Sequence, residues 1–108
     1  MKLLVVRYGR QLGKEDPDQA RGFLGAAEKI AGLPGLAWKV WGYDDDAHVA
    51  ESIYLFDSEA HARAWGDGPM KAALASHPGI SDIEVRYYDV DAELSAVTRA
   101  PLAAAAPV

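Results

Sequence analysis

Few side chains in this 108-residue chain titrate near neutral pH: there are three histidines, His48, His61 and His77, and no cysteine. The lack of cysteine excludes a thiolate nucleophile, a thiolate metal site and disulfides. His61 stands beside Trp65, and His77 shares a helical stripe with Met70, Ala73 and Leu74. Both are therefore expected to face a sheet and serve as the acid/base, although each alone also reads as a helix-end or surface histidine. His48 falls in an acidic turn, Asp44-Asp45-Asp46-Ala47-His48, and takes no role. The three histidines lie on different elements, so no metal site is expected. No GxGxxG, P-loop lysine or HExxH is present, so no cofactor is expected either.

Aromatic residues offer a second kind of chemistry. Trp38, Trp41, Trp65, Tyr54 and Tyr87 can wall a pocket for a planar molecule, with indole N–H and phenol O–H as donors. They read equally as core and subunit interface. Alternation along a strand puts Trp38 and Val40 on one face and Lys39, Trp41 and Tyr43 on the other. Because Val40 is apolar and Lys39 is charged, Trp38 is expected in the pocket and Trp41 against a partner. Arg7 and Lys39 are unusual cations within apolar strands. They pair with Glu51 or Glu84 across an interface, or they hold an anionic substrate.

These residues need a scaffold, and the hydrophobic pattern supplies one. Residues 2–8, 36–43, 49–56 and 81–90 read as strands, rich in branched and aromatic side chains. Asp16-Pro17 starts a helix, with Gln19 completing a capping box, and Gly32 to Gly35 stop it. Gly22 and Gly25 weaken it from within. Asp57 or Ser58 caps a second helix lined by Ala60, Ala64 and Trp65. Gly66-Asp67-Gly68-Pro69 breaks that helix, and Pro78 ends the piece that follows. One or two helical turns are expected over 92–98.

The order β-α-β-β-α-β is that of a ferredoxin-like α+β fold, with helices on one face of a four-stranded antiparallel sheet. The opposite face is also apolar, and contiguous exposed apolar surface marks an interface. A homodimer packed sheet to sheet is expected. Residues 1–102 read as one domain and 103–108 as a flexible Ala-rich tail. The formal charge of −5 argues against nucleic acid or an anionic membrane as partner. With no signal-peptide pattern and no spanning run, a cytoplasmic location is expected.

The run Gly35-Leu36-Ala37-Trp38-Lys39-Val40-Trp41, then Ile53-Tyr54-Leu55-Phe56, then Tyr88-Asp89-Val90 with Leu94-Ser95 resembles the YdhR-type monooxygenase family. The resemblance covers nearly the whole chain to about Leu102. It implies the dimeric α+β barrel superfamily, alongside antibiotic-biosynthesis monooxygenases and haem-degrading enzymes. It implies oxidation, without flavin or metal, of an electron-rich phenol, hydroquinone or anthrone of aromatic or polyketide type. His61 and His77 are then the catalytic candidates, with Trp38, Tyr54, Trp65, Met70, Tyr87 and Arg7 binding substrate. Non-redox cyclisation or isomerisation, haem binding, and ligand binding without catalysis are the competing readings. The first-strand asparagine of haem-degrading relatives is absent, since Arg7 and Tyr8 stand there. Glu51-Ser52 and the break at 66–69 depart from the family pattern near the expected pocket mouth.

Overall fold

A computed structural model of the protein describes residues 1–11 and 16–102. The elements are β1 (Lys2–Arg10), α1 (Pro17–Ala31), β2 (Leu36–Asp44), β3 (Val49–Phe56), α2 (Glu59–Gly66), α3 (Pro69–Ala75), β4 (Ile80–Asp89) and α4 (Ala92–Val97). The strands pair antiparallel in the order β2-β3-β1-β4. This is the ferredoxin-like arrangement read from the sequence, with the second helix split in two. The tail at 103–108 and residues 12–15 of the first loop lie outside the described residues.

Period-two alternation decides what each strand buries. Leu4, Val6 and Tyr8 of β1 and Ala50, Tyr54 and Phe56 of β3 form the core beneath the helices, joined by Ile30, Ala62 and Met70. Phe56 and Leu4 are fully buried. Helix α2 turns Ala62, Trp65 and Gly66 inward and leaves Ala60 and Ala64 exposed, so its buried stripe is rotated from the expected one.

The helix ends follow local chemistry, with departures at both ends of α1. Pro17 opens α1 behind Asp16, but the Asp16 side chain makes no capping hydrogen bond. Gln19 does not close a capping box; its side-chain oxygen accepts from the Arg10 guanidinium instead. The Ser58 hydroxyl caps α2 by accepting from the His61 N–H at 3.2 Å. The left-handed residue after α1 is Gly35, with φ +76°, while Gly32 has φ −92°. A Cβ at Gly35 would lie 2.3 Å from both Asp57 and His61, so only glycine fits there.

Gly66 is a second close approach. A Cβ there would sit 2.3 Å from the Tyr87 hydroxyl, which donates to Asp67 at 2.7 Å. Gly66→Ala is expected to lower stability by about 1–3 kcal/mol, the usual cost of overpacking, as read by urea unfolding. An unchanged midpoint would mean that the helix break tolerates a side chain.

The second face of the sheet carries Leu3, Val5 and Arg7 of β1, Trp38 and Val40 of β2, and Ile53 and Leu55 of β3. After β4 the chain crosses this face from one edge strand to the other, because the Trp38 indole N–H donates to the Pro101 carbonyl at 2.7 Å. Leu55 is fully buried on this face, whereas Val40 and Ile53 are 58% and 39% exposed. Among the described residues no helix is long and apolar enough to cross a membrane.

Candidate active site

The irregularity that shapes the site is a bulge at Ala37. Leu36 pairs with Phe56, yet Trp38 pairs with Leu55, so β2 gains one residue on β3 between them. Past the bulge Trp38 and Val40 turn to the outer face, and Lys39 and Trp41 turn toward the helices. Lys39 then sits opposite Tyr54 and Trp41 opposite Ser52. The expected pocket role of Trp38 does not fit this placement. Weighing Lys39 as a solvent-seeking charge pointed to the wrong side of the strand.

Helix α1 stands off the sheet at this end. It is braced by Ile30 in the core, by an edge-to-face contact of Phe23 with Trp41 at 5.8 Å, and by the Arg10–Gln19 hydrogen bond. Gly22 and Gly25 form part of its inner wall, and a Cβ at either would meet nothing within 4 Å. The space left is a cavity of about 450 Å³ between α1, the sheet and α2–α3. Its floor is Val6, Tyr8, Ser52, Tyr54, Lys39 and Trp41, and Trp65, Met70 and Leu74 close the far side. The wall is predominantly apolar and aromatic, as small-molecule sites are. A larger hollow of about 730 Å³ lies at the strand ends near Arg7, His48 and Asp82, but its lining is mainly polar and cannot exclude water.

Within the cavity one group stands apart. The Lys39 ammonium lies 3.2 Å from the Trp41 ring centroid and 4.5 Å from that of Tyr54. Two aromatic faces attract a cation, but they replace only part of its hydration. No carboxylate lines the cavity, and Lys39 has no ion-pair partner among the described residues. Burial therefore pulls its pKa from 10.5 down to about 7. The opposite effect acts on the neighbouring phenols. Burial pushes Tyr54 up to about 12 and also raises Tyr8, so both keep their protons. The Trp65 indole N–H is buried without an acceptor in hydrogen-bonding geometry, and its modest influence lowers the Tyr54 pKa. An amine that loses its proton near pH 7, two protonated phenols and an unused N–H thus share one largely apolar space.

The other expected site residues divide by location. Tyr54, Trp65 and Met70 line the cavity. Arg7 lies on the outer face, between Glu51 and Glu84 on the flanking strands, and does not reach it. Its expected carboxylate neighbours are there, but Lys39 is on the opposite face from both. Tyr87 lies beside the cavity, under the Arg63 guanidinium at 4.2 Å and bonded to Asp67. Burial, then the Asp67 carboxylate, hold its phenol above the ordinary range.

Neither histidine lines the cavity. The His61 ring turns to the start of α2, where Nδ1 meets Asp57 at 2.6 Å. That contact holds the Asp57 carboxyl below its usual range. His77 is exposed at the end of α3, where its Nδ1 accepts from the Gly79 N–H at 3.2 Å. The expected catalytic pair is therefore two local turn-stabilising contacts. No cluster of three or more metal-ligating side chains occurs among the described residues.

Residues 4–101 match the family model described as "Putative mono-oxygenase ydhR". The chain belongs to this family. No curated protein matches it significantly. Solved structures share the fold at low identity. The haem degrader MhuD from Mycobacterium tuberculosis, with two haems bound in its active site, is 18% identical over 84% of this chain and 96% of that one, with a TM-score of 0.61. The cofactor-independent oxygenase SnoaB from Streptomyces nogalater is 16% identical over 83% and 92%, with a TM-score of 0.62. A dimeric ferredoxin-like protein of unknown function from Thermobifida fusca is 25% identical over 83% and 92%, with a TM-score of 0.57.

Proposed function

We propose that this YdhR-family chain oxidises a planar phenol, hydroquinone or polyketide-type aromatic in the cavity under α1, without a resident cofactor. The observation that carries the reading is the unpaired, desolvated Lys39 amine inside an aromatic, apolar cavity. Family membership and the fold shared with a cofactor-independent oxygenase support it. Lys39 replaces the histidines as base. Its neutral amine takes the proton of the substrate hydroxyl, and the resulting ammonium stays beside the oxyanion in a medium where that attraction is strong. The electron-rich anion passes one electron to oxygen, and the radical pair recombines into a C–O bond. The peroxide then loses water to leave the oxidised product. Tyr54 and Trp65 are the donors available to the developing oxyanion or peroxide.

Two copies are proposed to pack through the outer sheet face, covering Val40 and Ile53. The exposure of this face and the dimeric state of the Thermobifida fusca neighbour support that assembly. Haem as an alternative ligand would find no histidine here, because neither His61 nor His77 reaches the cavity; Lys39, Tyr8, Tyr54 and Met70 are the lining side chains that could ligate its iron. A non-redox cyclisation or isomerisation draws on the same Lys39–Tyr54 pair and remains the second reading. The oxygen electrode separates them. With an anthrone or hydroquinone under air, oxygen uptake is expected to track product formation and to stop under argon. Product formation unchanged under argon would select the non-redox reading.

A further inference from the structure

We propose that Lys39 is also a carbonyl-capturing nucleophile: the cavity binds planar aromatic aldehydes or ketones and holds them reversibly as an imine on the Lys39 amine. This goes beyond the oxidation reading and does not need oxygen. Imine formation asks for an uncharged amine, a nearby acid that keeps its proton at neutral pH, and a space dry enough to slow hydrolysis. The cavity brings the amine and the phenols together within a predominantly apolar lining. The amine lies 4.5 Å from the Tyr54 ring centroid and on the same floor as Ser52. The groups facing it from each packed element keep it free of a counter-charge. β1 contributes Tyr8, β3 contributes Tyr54, and α2 and α3 contribute no titratable side chain to the lining. The cations Arg21 and Lys29 come from α1; Arg21 is engaged by Asp18, and both are exposed. Burial alone lowers the Lys39 pKa, and no counter-charge opposes it.

The step balances without a co-reactant. The amine nitrogen adds to the carbonyl carbon and the carbonyl oxygen takes a proton, giving a carbinolamine. Both amine hydrogens then leave with that oxygen as one water, and a C=N bond remains. No atom is oxidised or reduced. The Tyr54 phenol, which retains its proton and lines the same cavity, is the donor proposed to protonate the departing hydroxyl.

The test uses the full chain under argon at pH 7 with 2-hydroxy-1-naphthaldehyde as the probe and cyanoborohydride to lock the imine. Peptide mass spectrometry then reads which of the chain's five lysines carries the secondary amine. Lys39 is expected to label roughly a hundred-fold faster than Lys2, Lys29 or Lys71, because an ordinary lysine is neutral in only about one molecule in a few thousand at this pH. The fast phase should rise with pH through about 7 and disappear in Lys39→Met, whose folding is checked by circular dichroism. Labelling spread evenly over the lysines, or a fast phase surviving Lys39→Met, would overturn the proposal. A wild-type labelling midpoint near 10 would do the same without any variant. Oxygen uptake without a Lys39 adduct overturns imine capture alone; an adduct without oxygen uptake upholds it and counts against the oxidation.

Discussion

Lys39→Met is expected to lower turnover by about 10²–10⁴-fold, the range for losing a positioned general base, and at the same time to stabilise the fold. The two effects have one cause. In the folded protein the Lys39 pKa is about 7 against 10.5 in water. Below pH 7 both states carry the proton and the folded state bears the full cost of a poorly solvated ammonium. Between pH 7 and 10.5 only the unfolded state keeps the proton. Stability therefore rises with pH through this window, and the cost is gone above it. Methionine has a similar reach and no charge. Discounted for partial solvent contact, the gain at pH 6 is about 1–3 kcal/mol and should vanish near pH 10. Paired urea titrations at the two pH values read it. Wild-type turnover should climb through about pH 7 as the amine becomes neutral. A variant that is less stable at pH 6, or one that keeps full activity, would contradict this account.

Val40→Asp combined with Ile53→Asp is expected to convert the proposed dimer into monomers. The two positions are direct cross-strand partners on the outer face. Two carboxylates there repel one another and would have to be desolvated against the partner sheet. The interface should weaken by on the order of 3 kcal/mol or more, at least a hundred-fold in dissociation constant. Because both side chains are substantially exposed in the single chain, the monomer should remain folded. Light scattering after size exclusion reads the mass. A wild-type chain that is already monomeric, or a variant that stays dimeric, would move the interface elsewhere.

The fold was legible because its signals are local and mutually consistent. Four branched or aromatic strands, the Asp16-Pro17 start and the Gly66-to-Pro69 break each find their place in the structure. The site was less legible, for three physical reasons. The bulge at Ala37 has no signature in residue type, and one inserted residue exchanges the faces of Trp38 and Trp41. A lysine in an apolar strand reads as a surface charge, although the alternation that puts Lys39 with Trp41 was already visible. His61 and His77 matched helical stripes, but their ring nitrogens are taken by contacts two and four residues away, with Gly79 and Asp57. Helical spacing cannot foresee such short-range competition. Lys39 itself is legible in the sequence as an odd cation in an apolar strand. What could not be read there was the absence of any carboxylate around it.

The claim on which both the oxidation and the imine rest is that Lys39 is substantially uncharged at neutral pH. An NMR titration of the lysine side-chain Cε–Hε resonances, assigned by comparison with Lys39→Met, tests it directly. A midpoint near 7 for Lys39, with the other lysines titrating near 10, is the predicted result. A Lys39 midpoint close to that of the exposed lysines would contradict it and leave the cavity without its reactive group.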